Sequence, residues 1–101
     1  MDPQIIISEI EIIPIAPRGG LVGFASLTYN GQIRFNNLGI HTDLSNQGFR
    51  ITYPQQTLPT GKKVWVFYPI NKEAGDVITN AISKAFEKLI EKNLKREEEV
   101  S

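Results

Sequence analysis

The sequence predicts an α+β domain in which an antiparallel β-sheet of about five strands is followed by one C-terminal amphipathic helix. Three observations lead there. Asn30-Gly31 sits between two extended apolar segments, a strong local signature of a tight hairpin. Two short apolar runs, Phe49 to Tyr53 and Val64 to Tyr68, flank a loop of eight residues, Pro54 to Gly61. After Pro69 the apolar residues recur at helical rather than strand spacing. A chain of 101 residues with 41% hydrophobic content supports one core. Residues 1–94 are therefore expected to form a single domain, and 95–101 a charged tail that frays.

Gln4 to Ile13 is the expected first strand, with Ile6, Ile10 and Ile12 on one face and Ile5, Ile7 and Ile13 on the other. Glu9 and Glu11 keep the second face at least partly wet. Pro14 to Gly20 reads as a break rich in Pro and Gly. A two-residue type I′ turn at Asn30-Gly31 would pair Tyr29 with Gln32, Thr28 with Ile33, Leu27 with Arg34 and Ser26 with Phe35. One face of that hairpin then carries Phe24, Ser26, Thr28, Ile33 and Phe35, and the other Ala25, Leu27, Tyr29, Arg34 and Leu38. Both hold apolar side chains, so one is expected under the helix and one against another subunit.

His41 to Gly48 is a polar connection. It leads to Phe49–Tyr53 and Val64–Tyr68, which are expected to pair as a hairpin with a protruding loop. Val64, Trp65, Val66, Phe67 and Tyr68 are apolar or aromatic on both sides of the strand, as in strands covered on both faces. Asn71 is the expected N-cap, with Glu73 and Asp76 in the first turns, where acids suit the helix dipole. Val77, Ile78, Ala81, Ile82, Ala85, Phe86, Leu89 and Ile90 make the buried stripe.

Composition excludes more chemistry than it suggests. There is no cysteine, which removes disulfides, thiolate metal sites and a thiol nucleophile, and His41 is the only histidine. Glu9 and Glu11 share a strand face and Asp43 stands apart, so no acid and base pair is predicted. Neither Gly19-Gly20 nor Asn30-Gly31 has the spacing of a phosphate-cradling loop. The chain is not expected to be an enzyme, and no catalytic residue, cofactor, metal site or small-molecule substrate is predicted. With no leader-like N-terminus and no long apolar run, a cytoplasmic protein is expected, with no membrane partner.

Net charge is zero, yet the charges are unevenly placed. Between Ile12 and Lys72, Arg18, Arg34, Arg50, Lys62, Lys63 and Lys72 face only Asp43, while the remaining acids lie towards the two ends. A basic middle suits an anionic partner such as DNA or RNA, and it equally suits solubilised strand edges. On the helix, Lys84, Lys88 and Lys92 recur at i, i+4 and i+8, with Lys95 on the same side. They either face phosphates or pair with Glu87 and Glu91 on an ordinary solvated helix. The aromatics Phe49, Tyr53, Trp65, Phe67 and Tyr68 are read as core and subunit interface in preference to a base-stacking platform. Trp65, Phe67, Leu27 and Tyr29 are the expected homodimer contacts.

The ordered set Ala25-Ser26-Leu27-Thr28-Tyr29, then Gly48-Phe49-x-Ile51-x-Tyr53-Pro54, then Pro59-x-Gly61 and Pro69-Ile70-Asn71 before an amphipathic helix resembles the SpoVG family, the stage V sporulation protein G or septation regulator family. The likeness runs from about Ile5 to Leu89. It implies a small homodimeric regulator of septation and sporulation with a β-sheet and a C-terminal helix, binding DNA and RNA without a cofactor. Family members place basic residues directly after the proline matching Pro54. Here that loop reads Gln55-Gln56-Thr57-Leu58, and Lys62 and Lys63 stand at its far end. The predicted phosphate contacts are therefore Arg50, Lys62 and Lys63 beside the loop and Lys84, Lys88 and Lys92 on the helix. The alternative is a protein-interaction or scaffold module that has lost nucleic-acid binding.

Overall fold

The computed structural model describes residues 4–43 and 48–100, with helix side chains described as far as Lys92. Its elements are β1 (Ile7–Arg18), β2 (Leu21–Tyr29), β3 (Ile33–Asp43), β4 (Gly48–Thr52), β5 (Gln55–Thr57), β6 (Lys63–Trp65) and α1 (Lys72–Val100). The α+β class is as predicted. Six strands replace the expected five or so, divided between a four-stranded antiparallel sheet of order β1-β2-β3-β4 and a separate β5-β6 ribbon. The polar segment 44–47 and the Lys95 side chain lie outside the described residues and side chains, and the backbone of 95–100, expected to fray, is the last part of α1.

β1 runs straight through the predicted break. It is an edge strand, where the missing N–H groups of Pro14 and Pro17 are tolerated, and the chain turns only at Gly19 and Gly20, both at positive φ. The predicted facing is also corrected. Glu9 adopts φ 48°, and pairing jumps from Ser8 opposite Thr28 to Glu11 opposite Ser26. This bulge shifts the parity of the strand, so Ile7 rather than Ile6 joins Ile10 and Ile12 against the core. Ile6 is left 59% exposed.

At Asn30-Gly31 both central residues have positive φ and Gln32 N–H donates to the Tyr29 carbonyl at 3.1 Å, as a type I′ turn requires. The register beyond the turn is one residue away from the prediction, with Tyr29 opposite Ile33, Thr28 opposite Arg34 and Leu27 opposite Phe35. The expected register would have set Leu27 beside Arg34. Inserting Gln32 puts Leu27 and Phe35 together on the core side and sends Arg34 to the other face with Thr28. A second irregularity, with Asn37 at φ 64°, restores Ala25 opposite Leu38.

Ala25, Leu27, Leu38, Ile40 and Ile51 from the sheet meet Ile78, Ile82 and Phe86 from the helix, and these eight are the buried core. The helix reaches both β1 and β4, so it spans the sheet from edge to edge. Phe86 can lie close because Gly23 leaves space: a Cβ there would sit 2.9 Å from the Ile13 carbonyl oxygen and 3.5 Å from the Phe86 ring. Phe49 meets Phe86 edge-on at 4.9 Å. Asn71 is the predicted N-cap, its Oδ1 accepting from Ala74 N–H at 2.8 Å.

Candidate nucleic-acid interface

The stretch from Phe49 to Tyr68 folds differently from the expected hairpin. β4 pairs with β3, not with Val64–Tyr68. The supposed loop supplies β5, which sets Gln55 opposite Trp65, Gln56 opposite Val64 and Thr57 opposite Lys63. Pro54 continues this ladder by accepting from Val66 N–H at 3.0 Å. At the tip, Gly61 N–H donates to Leu58 O and Leu58 N–H to Lys62 O, each at 2.8 Å, with Gly61 at φ 88°. Pro59 and Gly61 thus build a three-residue turn closed by a glycine bulge. Lys62 and Lys63, both exposed, follow directly after that rigid tip.

Arg50 is exposed on β4 beside buried Ile51, which packs towards the helix, so by strand alternation Arg50 belongs to the opposite face. There it stands opposite His41, whose Nε2 is 3.0 Å from Thr52 Oγ1. Lys84, Lys88 and Lys92 are exposed on α1, and Lys88 and Lys92 border a groove of about 440 Å³ floored by Ile10, Ile12, Ala85 and Leu89. The predicted contacts therefore form separate groups: a hairpin tip, a sheet face and a helix row on the other side of the sheet. Among the described residues, Lys84, Lys88 and Lys92 form no ion pair with Glu87 or Glu91, and the Lys95 side chain lies outside them. Among the described residues, the ion pair present is that of Arg34 with Glu11, at 3.3 Å. Arg34 also donates to Thr28 Oγ1 and to the Glu9 carbonyl, so it is engaged in holding the bulge of β1.

The predicted dimer residues divide as well. Leu27 is 0% exposed and lies wholly inside the chain's own core, which removes it from any contact with a second copy in this structure. Tyr29 and Phe67 are half-buried and pack against that core. Trp65, Val66 and Tyr68 are each more than half exposed, so the chain's own residues cover only part of the strand expected to be covered on both sides, and Ile70 beyond it is 87% exposed. Ile70 was readable as exposed from sequence. It precedes the N-cap, where an apolar residue normally packs on the fifth position after it, and that position is Gly75. Pro69 lies over Gly75 instead.

Among the described residues no group of three or more His, Asp or Glu could hold a metal ion, and no helix is long and apolar enough to cross a membrane. Two curated proteins align along most of the chain, each named "Putative septation protein SpoVG". The one from Clostridium beijerinckii is 29% identical over 84 residues, covering 83% of this chain and 90% of that protein. The one from Archaeoglobus fulgidus is 26% identical over 81 residues, covering 80% and 93%. The SpoVG family model matches residues 5–88, nearly the span carrying the sheet, the hairpin and the buried helix stripe, and the chain belongs to the SpoVG family.

Proposed function

We propose that this chain is a cytoplasmic, homodimeric regulator of the septation and sporulation type that binds DNA or RNA through phosphate contacts. The observation that carries the reading is the helix row. Lys84, Lys88 and Lys92 are exposed and, among the described residues, unpaired although Glu87 and Glu91 are within one turn. Like charges at i, i+4 each cost a few tenths of a kcal/mol, a repulsion that a polyanion relieves. Lys62 and Lys63 at the hairpin tip add a second point of attachment, and Arg50 a third on the sheet face. Septation enters from the printed names of the relatives.

Fluorescence anisotropy with single- and double-stranded probes tests this. Binding is expected at about 50 mM salt and should weaken steeply towards about 200 mM, with a log–log slope of roughly one per phosphate contact. Reversing Lys84 and Lys88 to Glu should lower both the affinity and the slope, as should Lys62→Glu with Lys63→Glu. No retention of any probe at the lower salt sinks the proposal.

The exposed Trp65, Val66, Tyr68 and Ile70 favour a second reading, an interaction module whose apolar surface docks on another protein or another copy. Sedimentation of the wild type and Trp65→Ala separates the two. A wild-type dimer that Trp65→Ala dissociates assigns the surface to self-association. A monomer at micromolar concentration, with Trp65 open to a soluble quencher, refutes the dimer.

A further inference from the structure

The groove beside the helix row has a composition that phosphate contact alone does not use. It lies between β1 and α1 and holds about 440 Å³, within the range of small-ligand sites, about 300–1,000 Å³. Its floor is Ile10, Ile12, Ala85 and Leu89, each of them half-buried and so keeping surface open to solvent. Trp65, Val66, Tyr68 and Ile70 are absent from its walls. On the helix, Ala85, Lys88, Leu89 and Lys92 follow the i, i+3, i+4, i+7 spacing of one face. The small side chain of Ala85 keeps that face open.

The rim carries Lys88 and Lys92 and also Glu91, which is exposed and, among the described residues, has neither an ion pair nor a hydrogen bond. A carboxylate beside two lysines repels a phosphate. It suits a ligand that presents N–H donors, since an ionised carboxylate only accepts.

We infer that the groove receives an unpaired guanine of a single-stranded nucleic acid. The face of the base lies on the apolar floor, its N1–H and N2–H donate to the Glu91 carboxylate, and the adjoining phosphates meet Lys88 and Lys92. The inference rests on the phosphate-binding reading of the helix row and adds the base which that row selects. Guanine has two neighbouring donors on its Watson–Crick edge, matching the two oxygens of a carboxylate. Adenine and cytosine set a ring acceptor beside their amino donor, and uracil and thymine set a carbonyl on each side of their N–H, so a carboxylate is repelled by part of each edge. In a duplex the guanine donors are committed to cytosine and the base faces are stacked. Only an unpaired base can meet floor and rim together.

The test is fluorescence anisotropy of the full chain at about 50 mM salt. The probes are an oligothymidylate of about ten residues, the same strand with one central guanine, the same strand with hypoxanthine at that place, and duplexes of the plain and guanine strands. The guanine strand is expected to bind about fivefold tighter than the plain strand, or more. Hypoxanthine keeps N1–H and lacks the N2 amino group, so it should fall between them. The two duplexes should bind alike. Glu91→Gln is an exposed change that keeps the fold and leaves one guanine donor without its acceptor. It removes a negative charge and so strengthens every probe, but the guanine preference should vanish. Ala85→Leu fills the groove, spares the lysines and should also remove the preference. The inference is overturned if the plain and guanine strands bind equally, if the preference survives Glu91→Gln, or if the duplexes show it as well. Each of those results leaves the phosphate reading standing, through the salt dependence of the plain strand. No binding of any probe removes that reading and the inference with it.

Discussion

The helix-covered face of the four-stranded sheet and the β5-β6 hairpin with the segment after it both carry large apolar side chains, and these have opposite fates. Under the helix, Leu27, Leu38, Ile40 and Ile82 are completely buried. Along and after the hairpin, Trp65, Val66 and Tyr68 are each more than half exposed and Ile70 is 87% exposed. The difference is the availability of a partner surface. One amphipathic helix covers one face of one sheet, and among the described residues there is no second helix to cover the ribbon. Hydrophobicity alone does not decide burial. It marks the surfaces that need a partner, whether inside the chain or outside it.

Truncations break or sharpen this contrast most directly. Ile82→Ala should cost about 2–5 kcal/mol in denaturant unfolding, since it leaves a cavity between helix and sheet. Trp65→Ala should cost well under half of that in dilute solution, where no partner covers it. Equal losses for the two would show that the hairpin is as firmly packed as the core. Gly39→Ala is next in size. A Cβ at Gly39 would collide with Thr52 Oγ1 and lie 3.3 Å from His41 Nε2, so the His41–Thr52 contact must open. About 1–3 kcal/mol should be lost, and the NMR signals of both residues should move.

Asn71→Ala removes the cap on Ala74 N–H and should cost about 1 kcal/mol, measured in the same unfolding series. The smallest effect separates the two regions by pH. Tyr53 is deprotonated less readily folded than unfolded, so the stability from its neutral form is complete below its ordinary pKa of 10.0 and is lost as pH rises through the higher folded value. Tyr53→Phe should flatten this alkaline decline. An unchanged alkaline slope in that variant would assign the decline to other groups.

The fold class, the type I′ turn, the Asn71 cap and the helix stripe as far as Leu89 were legible because each is written in a few adjacent residues, whereas Ile90, assigned to the same stripe, is 41% exposed. Register was not legible. Gln32 and Glu9 carry no mark of an inserted residue, and the facing of Ile6, Ile7, Arg34 and Phe35 depends on packing across strands rather than on local preference. The pairing of β4 with β3 was hidden for a similar reason. Phe49–Tyr53 is compatible with either neighbour, and only the completed sheet decides between them. At the candidate interface the lysine identities were plain, but their separation onto different faces was not.

The two prolines of β1 carry a consequence for assembly on a larger scale. An uncovered edge strand offers its backbone as a template on which copies of a protein can stack without limit, the first step towards a fibre. Pro14 and Pro17 each lack an N–H, and their rings crowd the approach of another backbone along the second half of that edge. Open-ended backbone stacking of copies along that half of the edge is thereby disfavoured.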